Sequence, residues 1–311
     1  MILKRNFNFA KVFSYVRGEI LFSLLVSVSV YLFHLQQRKP LTIPYSVAAI
    51  MGSALAIFIA FRNNSAYSRW WEARSLWGGI VNATRVFARL IITFTDSHAH
   101  QPAYNKDRSE HFKKQMINKT IAWAHALRMQ LRNETNWRTL EPYLSAQEFL
   151  ALEAIQNKPN YIQLMAGRKL YEAMAAGTLA GFDSFQLEGQ LLALANFQGG
   201  CERIKNTPLL RQYDFFTRLF LYGFILILPF ALMKDFITTE LDFLVIPVSV
   251  FISFVFAIMG KVGEVNENPF ENKITDVPLT ALCNTIERDL LEMLGEQKLP
   301  EKIKPEMGYL F

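Results

Sequence analysis

Four residues spaced by four along one apolar run, Ala49, Ser53, Ile57 and Phe61, make the pattern with the most chemical content in this sequence. Residues four apart share one helix face, and this face ends in two bulky apolar side chains. Repeated around a symmetry axis, it would make a narrow apolar constriction that closes to ions by dewetting. The small residues beside it, Gly52, Ala56 and Ala60, equally suit close packing of one membrane helix on another, so the run alone leaves both readings open.

Little else in the chain resembles a reactive centre. There is no GxGxxG, no P-loop, no HExxH and no CxxC pair, so no enzyme is expected. His98 and His100 beside Asp96 carry the donor atoms of a metal site, but histidines in a polar loop are more often solvated, and neither metal nor cofactor is expected. Cys201 and Cys283 are expected as reduced packing residues. The glycosylation patterns at Asn118 and Asn133 fall in a segment expected to face the cytoplasm, where they carry no meaning.

The elements that must carry the stripe follow from the distribution of charge. Of 311 residues 51% are hydrophobic and 19% charged, and residues 20–37, 40–61, 219–233 and 243–260 contain no Asp, Glu, Lys or Arg. A helix crossing a bilayer needs roughly 17–25 mostly apolar residues. The third gap reaches that length if Phe215 and Phe216 are included and Arg218 snorkels. Spans are therefore predicted at about 20–37, 43–61, 215–233 and 243–260, and no signal-peptide cleavage site follows the first. No ionisable residue interrupts them except His34 near the end of the first, which argues against proton-coupled transport and for a passive pore or a structural protein.

Basic residues set the orientation. Lys4, Arg5, Lys11 and Arg17 precede the first span, and Arg62, Arg69, Arg74, Arg85 and Arg89 follow the second, so both sides read as cytoplasmic, and a multi-pass protein of the cell inner membrane with both chain ends in the cytoplasm is expected. Arg38 and Lys39 in one outward loop run mildly against the rule, while Asp235, Glu240 and Asp242 lie in the other. The net charge of +6 is matched to anionic lipid headgroups and not to nucleic acid.

Residues 62–214 and 261–294 read as cytoplasmic helical parts, and 295–311, with Pro300 and Pro305, as a flexible tail. Breaks are expected near Gln101-Pro102, Glu141-Pro142, Lys158-Pro159 and Gly199-Gly200. The second and third spans are expected to continue into the cytoplasmic helices, since no Gly or Pro interrupts Phe61 to Trp77. The fold class is an all-α membrane protein with four transmembrane helices and a large helical region. One such subunit does not enclose a water-filled path, so a pore would form between copies.

Three strings carry a resemblance: FRNNSAYSRWWEAR from Phe61 to Arg74, GGCERIKNTP from Gly199 to Pro208, and ENPFENKITDVPLTALCNTIERDLLEML from Glu267 to Leu294. In this order, with the spans between them, they resemble the bestrophin family in its bacterial branch, over nearly the whole chain. The resemblance implies a pentameric ion channel with one axial pore, a neck at Ser53, Ile57 and Phe61, and a cytosolic aperture at Phe182, with Asp183 as a charge at that entrance. Ser53 departs from the larger apolar residue usual at the first neck position. The calcium clasp of animal relatives, an acidic run after the NPF triplet, is replaced here, after Asn268, Pro269 and Phe270, by Glu271 to Asp276 with Lys273 and Ile274 among the would-be ligands; most of the oxygens are lost and calcium activation is not expected. Sodium is the ion expected from the bacterial branch, with chloride as the alternative. A non-conducting membrane scaffold is a further alternative, and no cytoplasmic partner is identifiable.

Overall fold

The structure, a computed structural model, describes residues 1–4, 9–37, 41–97, 99–100, 102 and 104–311, without the side chains of 9–11 and 37. Arg5, Arg38, Lys39, His98 and Gln101, and the side chain of Lys11, thus lie outside the described residues. Among those described there is no strand, only bridges pairing Ile2 and Glu306 with Tyr309. The helices are α1 (Phe9–Tyr15), α2 (Arg17–Gln37), α3 (Tyr45–Thr95), α4 (Lys106–Arg132), α5 (Ala146–Glu153), α6 (Lys158–Ala175), α7 (Gly181–Asn206), α8 (Arg211–Thr238), α9 (Val245–Asn266) and α10 (Leu279–Met293), with 3-10 turns at Trp137–Tyr143 and Asp242–Leu244. Among the described residues four stretches, in α2, α3, the α7–α8 run and α9, are long and apolar enough to cross a membrane. The all-α membrane class expected from the sequence is the one observed.

The chain divides into two compact units. One comprises residues 4–70 and 208–268 and holds α1, α2, α8, α9 and the first half of α3. Its core gathers Val16, Ile20, Leu55, Ile59, Leu221, Phe224, Ile225, Leu228 and Ala257. These recur at helical spacing on each element, so each helix turns one stripe inward. Where α2 packs on α9, small hydroxyls replace large side chains: buried Ser23 Oγ donates to Ser253 Oγ at 2.9 Å, and Ser27 Oγ donates to the Ser23 carbonyl at 2.7 Å. In a membrane, small residues let backbones approach and satisfy their own polar atoms across the contact.

The second unit comprises residues 1–3, 71–207 and 269–311. At its centre α4 is buried on nearly every side from Met116 onward, enclosing Met116, Ile117, Ile121, Trp123 and Leu127 together with Lys119, and it packs on α6, α7 and α10. Asn105 caps its start, the side-chain oxygen accepting from Arg108 N at 3.0 Å. Its end is marked by Asn133 in the left-handed region, φ 55°. The predicted break at Lys158-Pro159 is the start of α6, where Pro159 fits the first turn. Pro142 lies inside the 3-10 turn.

Two breaks fall elsewhere than expected. Gly199 and Gly200 do not interrupt α7: a Cβ at Gly200 would lie 2.9 Å from Leu76 Cδ2, and one at Gly79 2.4 Å from Phe197 Cε1. The glycines on α3 and α7 thus receive each other's side chains, and close packing outweighs their low helix propensity. The third span, for its part, does not continue from α7, because Pro208 has no N–H and drives Thr207 to an extended conformation; α8 begins afresh at Arg211.

Residues 295–311, expected to be a flexible extension, are tied back onto the second unit. Asn284 donates to the Glu301 carbonyl at 3.0 Å and accepts from Ile303 N at 3.2 Å. Ala281 N donates to the Phe311 carbonyl at 2.8 Å, and Leu3 N donates to the Gly308 carbonyl at 2.9 Å. The prolines suppress helix, and hydrogen bonds from α10 and the N-terminal residues supply the order that a helix would have provided.

Candidate functional site: an uncovered apolar stripe

The apolar part of α3 has two contrasting faces. Leu55 and Ile59 are fully buried, Arg62 is 3% exposed, and Ala66 continues the same inward stripe. Ile57 is 56% exposed and Phe61 63%, so the chain leaves large hydrophobic side chains uncovered on the opposite face. Ser53 stands on that face too, and its Oγ donates to the Ala49 carbonyl at 2.8 Å. With its proton committed to its own helix, the hydroxyl behaves as a compact, weakly polar group. Ala49 and Ser53 of the stripe, with Ala48, Gly52 and Ala56 beside it, line a groove of about 390 Å³ against Phe224, Leu228 and Phe256.

Phe182 and Asp183 belong to the second unit, on the first turn of α7. Phe182 is 70% exposed, as is its neighbour Phe185 at 72%. The Asp183 carboxylate accepts from Ala180 N at 3.1 Å and serves the helix start, where negative charge is favoured.

Sequence reasoning placed Arg62 among the basic residues flanking the span, and the structure buries it instead. The Asp214 Oδ1 lies 2.6 Å from its Nη2 and the Glu267 Oε2 3.6 Å. The available signal was its position: residues 55, 59, 62 and 66 continue one helical stripe, and a charge on that stripe needs a partner.

After the NPF triplet the chain closes on Asp276, only 2% exposed. Its Oδ2 accepts from Glu271 N at 2.6 Å and Lys273 N at 3.1 Å. Burial raises its pKa, and these backbone donors hold the charge only in part. Lys273 Nζ pairs with the Glu271 carboxylate. In the histidine-bearing loop, Asp96 is engaged with Lys113 Nζ at 2.5 Å, Ser109 and Tyr104. Burial works to raise its pKa, and these donors outweigh it, holding the carboxyl below its ordinary range.

Among the described residues, four stretches apolar enough to cross a membrane, an all-helical second unit and an uncovered apolar face on the second of those stretches are the features of a helical membrane protein. The chain belongs to the family described as Bacterial/Fungal Bestrophin protein, whose model matches residues 5–292. It is 33% identical over 300 residues to the voltage-dependent anion channel-forming protein YneE of Escherichia coli (strain K12), covering 96% of this chain and 93% of that one. To the voltage-dependent anion channel-forming protein RSc3414 of Ralstonia nicotianae (strain ATCC BAA-1114 / GMI1000) it is 29% identical, covering 85% and 82%. A crystal structure of a bacterial bestrophin homolog from Klebsiella pneumoniae superposes with a TM-score of 0.78 at 31% identity, covering 91% of this chain and all of that one.

Proposed function

We propose that the chain is one subunit of a pentameric ion channel in the cell inner membrane, passing monovalent ions along a single axis. Its neck is formed by Ser53, Ile57 and Phe61, and its cytosolic aperture by Phe182 with Asp183 beside it. The observation that carries this reading is the exposure of Ile57 and Phe61 on a helix whose Leu55 and Ile59 are fully buried. Several copies meeting on this face would enclose an apolar file that wets when open and empties when closed. The four spans cross with both chain ends in the cytoplasm, residues 62–214 and 261–294 form the cytoplasmic part, and lipids surround the rest.

The names of the relatives favour anions over the sodium expected from the sequence. Asp183 is engaged as a helix cap, and a ring of Phe61 edges, electropositive at the rim, is compatible with anions. Calcium independence is supported by the 271–276 loop, where the Glu271 and Lys273 N–H groups both donate to Asp276 Oδ2 and Lys273 Nζ pairs with the Glu271 carboxylate, so that these carboxylates already have partners. Reconstitution in planar bilayers under a salt gradient tests the proposal. A conductance reversing near the chloride potential is expected, larger in I57A and F61A and unchanged by micromolar calcium. Reversal near the sodium potential would transfer the reading to cations, and a silent bilayer would favour a scaffold.

A further inference from the structure

The neck reading raises the question of what fixes the rotation of α3. Successive helical residues are about 100° apart, so the setting of Arg62 sets the direction of Phe61. Arg62 is 3% exposed and its chain neighbour 63%. Its guanidinium meets Asp214 from the first turn of α8 at 2.6 Å, Glu267 from the end of α9 at 3.6 Å, and the Gly260 carbonyl at 3.5 Å. Nε and Nη2 lie buried without an aligned hydrogen bond, so the pairing to Asp214 is chiefly Coulombic. Next along the chain, Asn63 Nδ2 donates to the Met259 carbonyl at 2.9 Å. A Cβ at Gly263 would lie 2.3 Å from Asn63 Oδ1, so α9 abuts α3 at this level with no room to spare.

The same carboxylates extend outward. Asp214 also holds Arg218 at 3.1 Å, Arg218 reaches Glu264 at 3.7 Å, and Glu264 pairs with Lys261 at 2.6 Å. Three acids and three bases thus balance across the ends of α3, α8 and α9.

A leucine at position 62 would complete the Leu55–Ile59 stripe without desolvating a charge, and replacing a buried ion pair by apolar side chains is often neutral or stabilising. An arginine here fits a role that grease does not fill, because an ion pair has one direction and an apolar contact tolerates slippage. We infer that Arg62 is the positioning residue of the neck: held by Asp214 and Glu267, it fixes the rotation of α3 so that Phe61 faces the axis. This rests on the neck reading. Neutralising a carboxylate loosens the setting and lets Phe61 leave the constriction.

The test is a cycle of single-channel conductances for wild type, D214N, F61A and D214N/F61A, with assembly mass measured for each. D214N should raise conductance by about two-fold or more, a size typical of contacting groups, and should add nothing in the F61A background. If F61A acts and D214N does not, or if the two effects multiply independently, the positioning role is overturned while the neck stands. If F61A itself leaves conductance unchanged, the neck reading falls and the inference with it. Should D214N fail to assemble, E267Q, whose carboxylate is farther away, takes its place in the same cycle with the same criteria.

Discussion

The reciprocal contact between α3 and α7 makes a prediction that can be worked from distances. In G79A the new methyl would sit 2.4 Å from Phe197 Cε1 and 2.5 Å from Cζ. Ordinary carbon contacts begin near 3.4 Å, so the ring must retreat by about 1 Å or α7 must shift. Overpacking of this kind costs about 1–3 kcal/mol. In a chain of this size that corresponds to a fall of roughly 2–6 °C in apparent melting temperature. F197L alone removes ring volume and costs about 1 kcal/mol, but in G79A it also removes the clash. The double variant should therefore melt above the sum of the two single effects, with a coupling of about 1 kcal/mol or more. Melting curves of the detergent-solubilised protein read this directly. If G79A melts with the wild type, or if the double variant falls at the simple sum, the glycine at 79 is not there for close approach and the explanation offered for the uninterrupted α7 fails with it.

Glu287 is half-buried and joined to Tyr143 OH at 2.5 Å and His125 Nε2 at 3.3 Å. Burial raises its pKa, and these two partners more than reverse that, so its folded value is depressed; its contribution is complete above the unfolded carboxylate range near pH 4.3 and is lost as pH falls through the folded value, and E287Q should flatten this acid limb of a melting-temperature profile. Buried Lys119 pairs with Glu148 at 2.7 Å; E148A, which strands the ammonium, should cost about 3–5 kcal/mol, whereas K119M/E148L should recover most of the melting temperature. Cys201 and Cys283 are fully buried, and burial pushes both thiols up to about 12; iodoacetamide at pH 8 should modify neither in the folded protein and both after unfolding, as counted by mass spectrometry.

What was legible in the sequence is what depends on local order. An apolar run long enough for a bilayer is visible in an 18-residue window with few charges, and the stripe at 53, 57 and 61 is visible in one helix alone. The structure leaves Ile57 and Phe61 uncovered. What was not legible depends on a second element arriving from elsewhere. Gly199-Gly200 reads as a break until Leu76 is seen to occupy the space over Gly200. The tail reads as loose because its prolines are local and its partners, Asn284 and Ala281, are not. Pro208 was in plain view, and its consequence for Thr207 follows from local sterics, so the separate start of α8 was readable and was missed.

Arg62 combines both cases. Its place on the buried stripe is a local fact, whereas its partners come from the start of α8 and the end of α9. Basic residues beside apolar spans usually reach for headgroups, and that general expectation concealed a residue 3% exposed. Once buried, its charge cannot be treated as part of the positive flank that sets orientation. The flank then consists of Arg69, Arg74, Arg85 and Arg89, still enough to keep the sign of the argument. The change matters more for the proposed neck: the residue following Phe61 is held between two carboxylates, and a constriction built on Phe61 would acquire at its end a fixed angular reference.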